Sequence, residues 1–289
     1  MIRYLKHNQI NKSKWDESIR QSLNGLVYAQ SWYLDIVSPG WEALVEDDYD
    51  FIMPLTFKKK WFIPYLFQPS FAQQLGVFSK NIITGEVVLN FMDSIPRKFL
   101  IKDFNVNSQN IVAGRFEFTN RSNYELDLRN EYATVHSGYN ENTKRNIRKA
   151  KSACFIENYS QVEDFVYLFS THAKKKIAGT VLNQLKQIVT YALDNQIGEI
   201  KIIRNVAGSI IAGAFFLKAP GRIIYLVSFT CSEGSTDSPM FFIIDEMVKE
   251  HAAQPWILDF EGSMIPGIAR FFAGFGAKEK IYQRYKKLL

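Results

Sequence analysis

Apolar positions in the first part of the chain switch between a helical and an extended period. Trp15, Ile19 and Leu23 recur every fourth residue, which places them on one face of a helix over 12–23. Ser31 is an N-cap type of residue ahead of 32–37, and Ser38-Pro39-Gly40 ends that short helix. Residues 41–45 and 51–57 read as strands joined by the acidic turn Asp47-Asp48-Tyr49-Asp50. A reversal at 58–61 leads to an extended run at 64–68, so this part is a meander. Thr84-Gly85-Glu86 opens a helix that stops before Pro96. Stretches 99–104, 111–119 and 124–128 read as further strands.

The pattern then becomes mainly helical. Helices are predicted at 140–153, 162–175 and 181–194. Strands follow at 199–204, 209–217 and 222–229, with hairpin turns at Asn205-Val206-Ala207-Gly208 and Ala219-Pro220-Gly221. A polar loop leads to a helix with Pro239 in its first turn, running to about His251. A strand at 256–260, a short helix at 266–273 and a strand at 278–285 complete the chain. The expectation is one antiparallel meander over 199–229, joined in parallel by 256–260 through the crossover helix. The class is therefore α/β in the α+β sense. Two related domains, 1–130 and 131–289, are each expected to hold a mixed, mostly antiparallel sheet flanked by helices.

Composition agrees with this. A length of 289 residues suits about two domains. Hydrophobic residues at 47% against 22% charged argue for packed cores rather than disorder. No apolar run approaches the length of a membrane span. The start, MIRYLKHNQINKSKW, lacks an apolar signal region, and Cys154 and Cys231 are the only cysteines. Both facts lead to the expectation of a reducing, cytoplasmic setting. The four histidines form no H-x-x-H or H-x-x-x-H pair, so no metal site is expected. The net charge of +6 is modest, but its distribution is uneven: 144–151, Lys58-Lys59-Lys60 and Lys174-Lys175-Lys176 are basic clusters. Each suits either a phosphate-bearing partner or a solvated face.

Asn142-Thr143-Lys144-Arg145-Asn146-Ile147-Arg148-Lys149-Ala150 resembles a basic helix of the Fem-type peptidoglycan-bridge aminoacyltransferases and the GNAT-like group around them. Leu258-Asp259-Phe260-Glu261-Gly262-Ser263, with Pro266-Gly267 and 270–277, resembles the D-F-x-G-S and F-K-x-G-F-G-A signature of the same group. Gln30-Ser31-Trp32-Tyr33 and 68–74 carry a weaker match. The resemblance implies two GNAT-like domains and transfer of an acyl group to an amine, from acyl-coenzyme A or aminoacyl-tRNA as donor substrate, with no cofactor required. The acceptor would be a small molecule or a cell-envelope precursor. One departure is that the family's lysine in F-K-x-G-F-G is Phe272 here.

Such a transfer needs a base for the amine and donors for the developing oxyanion. Asp259 and Glu261 alternate with Phe260 across a strand, so both acids share one face and are candidate catalytic groups, with Tyr282 as a candidate general acid. Tyr225 and Ser228 lie on the strand where GNAT-like folds hold the acyl donor by backbone hydrogen bonds. Gly234, Ser235 and Ser238 of the following loop could present N–H groups to phosphate. Lys144, Arg145, Arg148 and Arg270 are candidate substrate-binding cations. Two alternatives remain open at this point: an inactive GNAT-like protein, or a nucleic-acid-binding module that uses helix 142–151. The chain carries no DNA- or RNA-recognition motif. The oligomeric state is left open.

Overall fold

The computed structural model describes residues 1–289 except 111, 113–115, 235, 236 and 289. Two compact units emerge: Met1–Arg121 with Ile281–Leu289, and Ser122–Lys280. The first contains β1 (Ile2–Leu5), α1 (Lys12–Gln21), α2 (Ser31–Val37), β2 (Glu42–Glu46), β3 (Phe51–Leu55), β4 (Phe57–Lys60), β5 (Ile63–Phe67), β6 (Phe78–Ser79), α3 (Gly85–Asp93) and β7 (Lys102–Val106). Strand β8 (Phe118–Asp127) carries the chain into the second unit. There follow α4 (Tyr132–Ser137), α5 (Glu141–Ala153), β9 (Cys154–Tyr159), α6 (Val162–Thr171), α7 (Gly179–Asp194), β10 (Gly198–Asn205), β11 (Ile210–Ala219), β12 (Arg222–Thr230), α8 (Pro239–His251), β13 (Ile257–Asp259) and α9 (Pro266–Gly274). Strand β14 (Lys278–Lys287) leads back to the first unit.

In the first unit, β1-β2-β3-β6 form an antiparallel sheet. Its other strands run in the order β4-β5-β7-β14, with β5 parallel to β7. Helix α1 starts where Asn11 accepts from Lys14 N at 3.1 Å. Trp15 and Ile19 are buried as the four-residue spacing predicts. Leu23 is not, because the helix ends at Gln21 and its stripe ends with it. The glutamine-rich segment after β5 is tied down locally. Gln68 accepts from Asn105 N at 2.8 Å, and Gln74 accepts from Ser108 N at 2.9 Å.

The second unit has the strand order β8-β13-β12-β11-β10-β9. Its meander β10-β11-β12 is antiparallel and β13 joins β12 in parallel after α8, as the pattern predicts. The core lies between this sheet and α8 and α5. Ile203, Phe216, Ile223 and Leu258 pack with Ile243, Met247 and Ile147. Fully burying each such side chain contributes roughly 1.5–3 kcal/mol.

The domain boundary differs from the expected 130/131. β8 is one unbroken ten-residue strand, so the hydrophobic pattern gives no sign that the unit changes at 121. Strand β14, expected in the second domain, lies mainly with the first. Its Tyr285 is buried there, 5.8 Å from the ring of Phe104. Of the expected strand at 111–119, residues 111 and 113–115 lie outside the described residues, Val112, Phe116 and Glu117 are not strand, and β8 begins at Phe118.

Candidate functional site

The second unit opens where two neighbouring strands part. β12 and β13 pair over only three positions, from Arg222↔Ile257 to Ile224↔Asp259. β12 continues to Thr230 while β13 stops at Asp259. Two successive residues of positive φ, Glu261 and Gly262 (both 55°), turn the chain away. Glycine is required at 262, since a Cβ would lie 2.1 Å from Ser122 O. Phe260 N still donates to Tyr124 O at 3.0 Å, so the chain follows β8 as it leaves β12. From Tyr225 onward β12 has β11 on one side and, among the described residues, no strand on the other. Its register on β11 shifts between Phe215 and Phe216, which leaves a bulge at Leu226.

Aromatic rings fill the base of the opening. Phe272 stacks on Phe260 at 4.7 Å, and Tyr225 meets each edge-on at 6.3 Å. The Tyr225 hydroxyl donates to Ser228 Oγ at 2.6 Å. Burial pushes that hydroxyl well above the usual phenol range, against the opposing effect of the Ser228 bond, so it stays a proton donor near neutral pH. Below the split, Arg222 Nη1 lies 2.6 Å from Asp259 and 2.7 Å from Glu125. One guanidinium thus ties three adjacent strands. Asp259 Oδ1 also accepts from Glu261 N at 2.9 Å, which pins the turn. Beside the opening, Ser238 donates to Asn146 of α5 at 3.3 Å, so the basic helix borders the start of α8.

No family model matches this sequence, and no curated protein matches it. Solved structures do. FemX superposes with a TM-score of 0.68 at 12% identity, over 95% of this chain and 96% of that one. A tandem GNAT protein from the clavulanic acid biosynthesis pathway gives 0.56 at 11%, over 99% and 98%. L-PGS from Bacillus licheniformis gives 0.55 at 11%, over 89% and 87%. The chain has the Fem-type, GNAT-like fold. At these identities the likeness concerns the fold alone.

On this Fem-type fold the sequence-predicted residues fall into groups. Tyr225 and Ser228 stand together on the part of β12 that pairs with β11 alone among the described strands. Asp259 is fully buried and held by Arg222, which makes it an anchor of the strands. Glu261 is half-buried at the turn, and the strand alternation does not extend to it because β13 has already ended. Tyr282 belongs to the first unit and is buried. Gly234 is also buried; its N–H bonds Cys231 O, and a Cβ would meet Ile211 at 2.8 Å. It packs the loop against β11 instead of presenting its N–H to a phosphate. Ser235 lies outside the described residues. Ser238 takes a left-handed conformation just before Pro239. Arg145, Arg148 and Arg270 are exposed, and Lys144 pairs with Glu141 at 3.2 Å. Phe272, in place of the family's lysine, is buried in the aromatic stack.

Three arrangements escaped sequence reasoning. The Arg222 cluster is one. Another is His172 Nε2, 3.2 Å from Cys231 Sγ. Burial, with Glu233 nearby, pushes that thiol up, so the pair is not an activated thiolate. The third brings ligand atoms of Glu199, Glu250 and His251 within 4.8 Å of one another. Lys218 and Lys201 already lie 2.7 Å from those two carboxylates and balance their charge. A cavity of about 460 Å³ also opens in the second unit, between Asp127, Arg129, Thr134, Ile257 and Lys278. None of the sequence-predicted site residues lines it. Among the described residues no helix is long and apolar enough to cross a membrane.

Proposed function

We propose that the chain transfers an acyl or aminoacyl group from an activated ester or thioester to an amine. The observation that carries this reading is the strand split: β12 runs on past Ile224 with one edge unpaired, in a Fem-type fold. Backbone N–H and C=O groups in such a place call for a partner. An extended acyl donor supplies one, lying along β12 where β13 has turned away. The donor's phosphates, of coenzyme A or of a tRNA end, meet Arg145 and Arg148 on α5, with Arg270 as a further cation on α9.

The amine nitrogen attacks the donor carbonyl, forming the C–N bond and a tetrahedral oxyanion. Collapse of that intermediate breaks the bond to the thiolate or ribose oxygen. Glu261 takes the proton lost by the nitrogen, and Tyr225, held protonated by burial, supplies one to the leaving group. Exchange of one proton with solvent then restores both residues. The acceptor belongs to the class of small amines or amine-bearing envelope precursors.

The test is a transfer assay with acyl-coenzyme A and aminoacyl-tRNA in separate arms against a panel of amines, read by mass spectrometry. One arm is expected to give product. Glu261→Gln is expected to lower kcat by about 10²–10⁴-fold. No product in either arm, or full activity of Glu261→Gln, refutes the reading. A thermal shift with single-stranded RNA but with neither donor would favour the nucleic-acid alternative.

A further inference from the structure

One end of the β4-β5-β7-β14 strands carries apolar side chains that stay exposed among the described residues. The β4–β5 hairpin turns through Trp61 and Phe62, whose φ values are 51° and 67°. That is the geometry of a type I′ turn, for which Asn and Gly are the natural residues. Two aromatic residues are strained there. The strain is not offset by burial, since Trp61 is 84% exposed, Phe62 95% and the adjoining Ile63 47%.

Strand register gathers more residues at the same end. Leu66 pairs with Lys102 across parallel β5 and β7, so residues just before Lys102 run beside the tip-ward half of β5. Lys102 also opposes Lys287, which puts Leu288 beyond that end. Leu100 is 49% and Leu288 61% exposed. Lysines surround these side chains: Lys58, Lys59 and Lys60 on β4, Lys102 on β7, and Lys286 and Lys287 on β14. Burial, with a smaller effect from the neighbouring Lys287, pushes the Lys102 ammonium below its usual value. The hairpin contains no acid, and nearby Asp103 is closed by Arg284 at 2.6 Å.

We propose that this end of the first unit docks on the surface of an anionic phospholipid membrane. Trp61 and Phe62 enter the boundary between headgroups and acyl chains, where aromatic rings partition well, and the lysines meet lipid phosphate. Single-stranded nucleic acid also pairs cations with rings. It fits less well, because Ile63, Leu100 and Leu288 offer no π-face for a base and the hairpin tip protrudes rather than forming a groove.

The full chain is sedimented with vesicles of equal parts phosphatidylglycerol and phosphatidylcholine, and separately with phosphatidylcholine alone. Binding is expected on the anionic vesicles, weakening with salt, together with a blue shift of tryptophan emission that Trp61→Phe abolishes. Trp61→Asn/Phe62→Gly, which gives the turn the residues it prefers and so keeps the fold, is expected to weaken binding about tenfold or more. Lys59→Glu/Lys60→Glu is expected to weaken it by about fivefold or more per lysine. Melting temperatures of all variants serve as the folding control. Absence of sedimentation overturns the proposal. So does equal binding to neutral vesicles, or undiminished binding by Trp61→Asn/Phe62→Gly. Single-stranded RNA binding that the same variant loses, without vesicle binding, would reassign the surface.

Discussion

Arg222 answers the buried Asp259 and the partly buried Glu125 with a single guanidinium, and burial alone would favour its neutral form. Asp259 and Glu125 outweigh that effect and hold it charged. Arg222→Ala leaves both carboxylates without their cation and is expected to cost about 3–5 kcal/mol, measured by urea unfolding. Nothing along the chain announces this cluster, because its members are 97 and 37 positions apart and only the strand order β8-β13-β12 unites them. The same holds for His172 and Cys231, 59 positions apart. Glu261 and Phe272, by contrast, could be picked out from a local motif. Glu199 supplies a test in pH. Burial resists its ionisation, but the His251 ring and the Lys218 ammonium prevail and hold it near 2. Its folded value is below the unfolded one, so its stabilisation is complete above the unfolded value and is lost as pH falls toward 2. The stability difference between the parent and Glu199→Gln is expected to shrink between about pH 5 and about pH 2. Asp127, held near 2 by Arg129, titrates in both proteins and cancels from that difference.

Helix α5 shows how one basic run serves two ends. Lys151 reaches the buried Asp245 of α8 at 2.7 Å and Glu246 at 3.0 Å, so this cation fastens helix to helix. Arg145 and Arg148 are exposed, and Arg145 donates to Asn142 of its own helix at 2.7 Å. Lys151→Met is therefore expected to cost about 1–2 kcal/mol, since Asp245 keeps its bond from Tyr132 but loses a half-exposed ammonium. Arg145→Ala/Arg148→Ala is expected to change stability by less than about 0.5 kcal/mol per site while weakening donor binding in titration. A double variant that unfolds without losing affinity would make these arginines structural. The helix itself was legible, because Asn140 caps it and Ile147 and Ala150 mark its buried face. Strand β9, which follows it directly, was not. It is an edge strand whose Phe155 is exposed, so it lacks the apolar alternation by which a strand is recognised. Helix α4 is too short for its single buried residue, Val135, to show a period.

At the scale of the whole molecule, the chain enters the second unit within β8 and leaves it within β14, so the second unit is continuous in sequence and the first is not. Deleting 281–289 removes the partner of β7 and the Tyr285 ring that packs with Phe104 and Phe118. Hydrogen exchange is expected to quicken across β5 and β7 of the truncated chain and to remain slow in β10, β11 and β12. Uniform quickening would show that the units unfold as one. The length of 289 residues led to an expectation of about two domains, while a boundary at 121 was hidden because a strand that changes unit midway keeps a single hydrophobic pattern. The interrupted first unit also bears on biosynthesis. During translation the second unit has its whole sequence in hand by residue 280, while the first still lacks the last strand of one sheet. The usual order, in which the amino-terminal domain finishes first, is then reversed. Until residues 281–287 have been made, the nascent first unit holds β7 with one edge open, and that edge is exposed to wrong pairing in the interval.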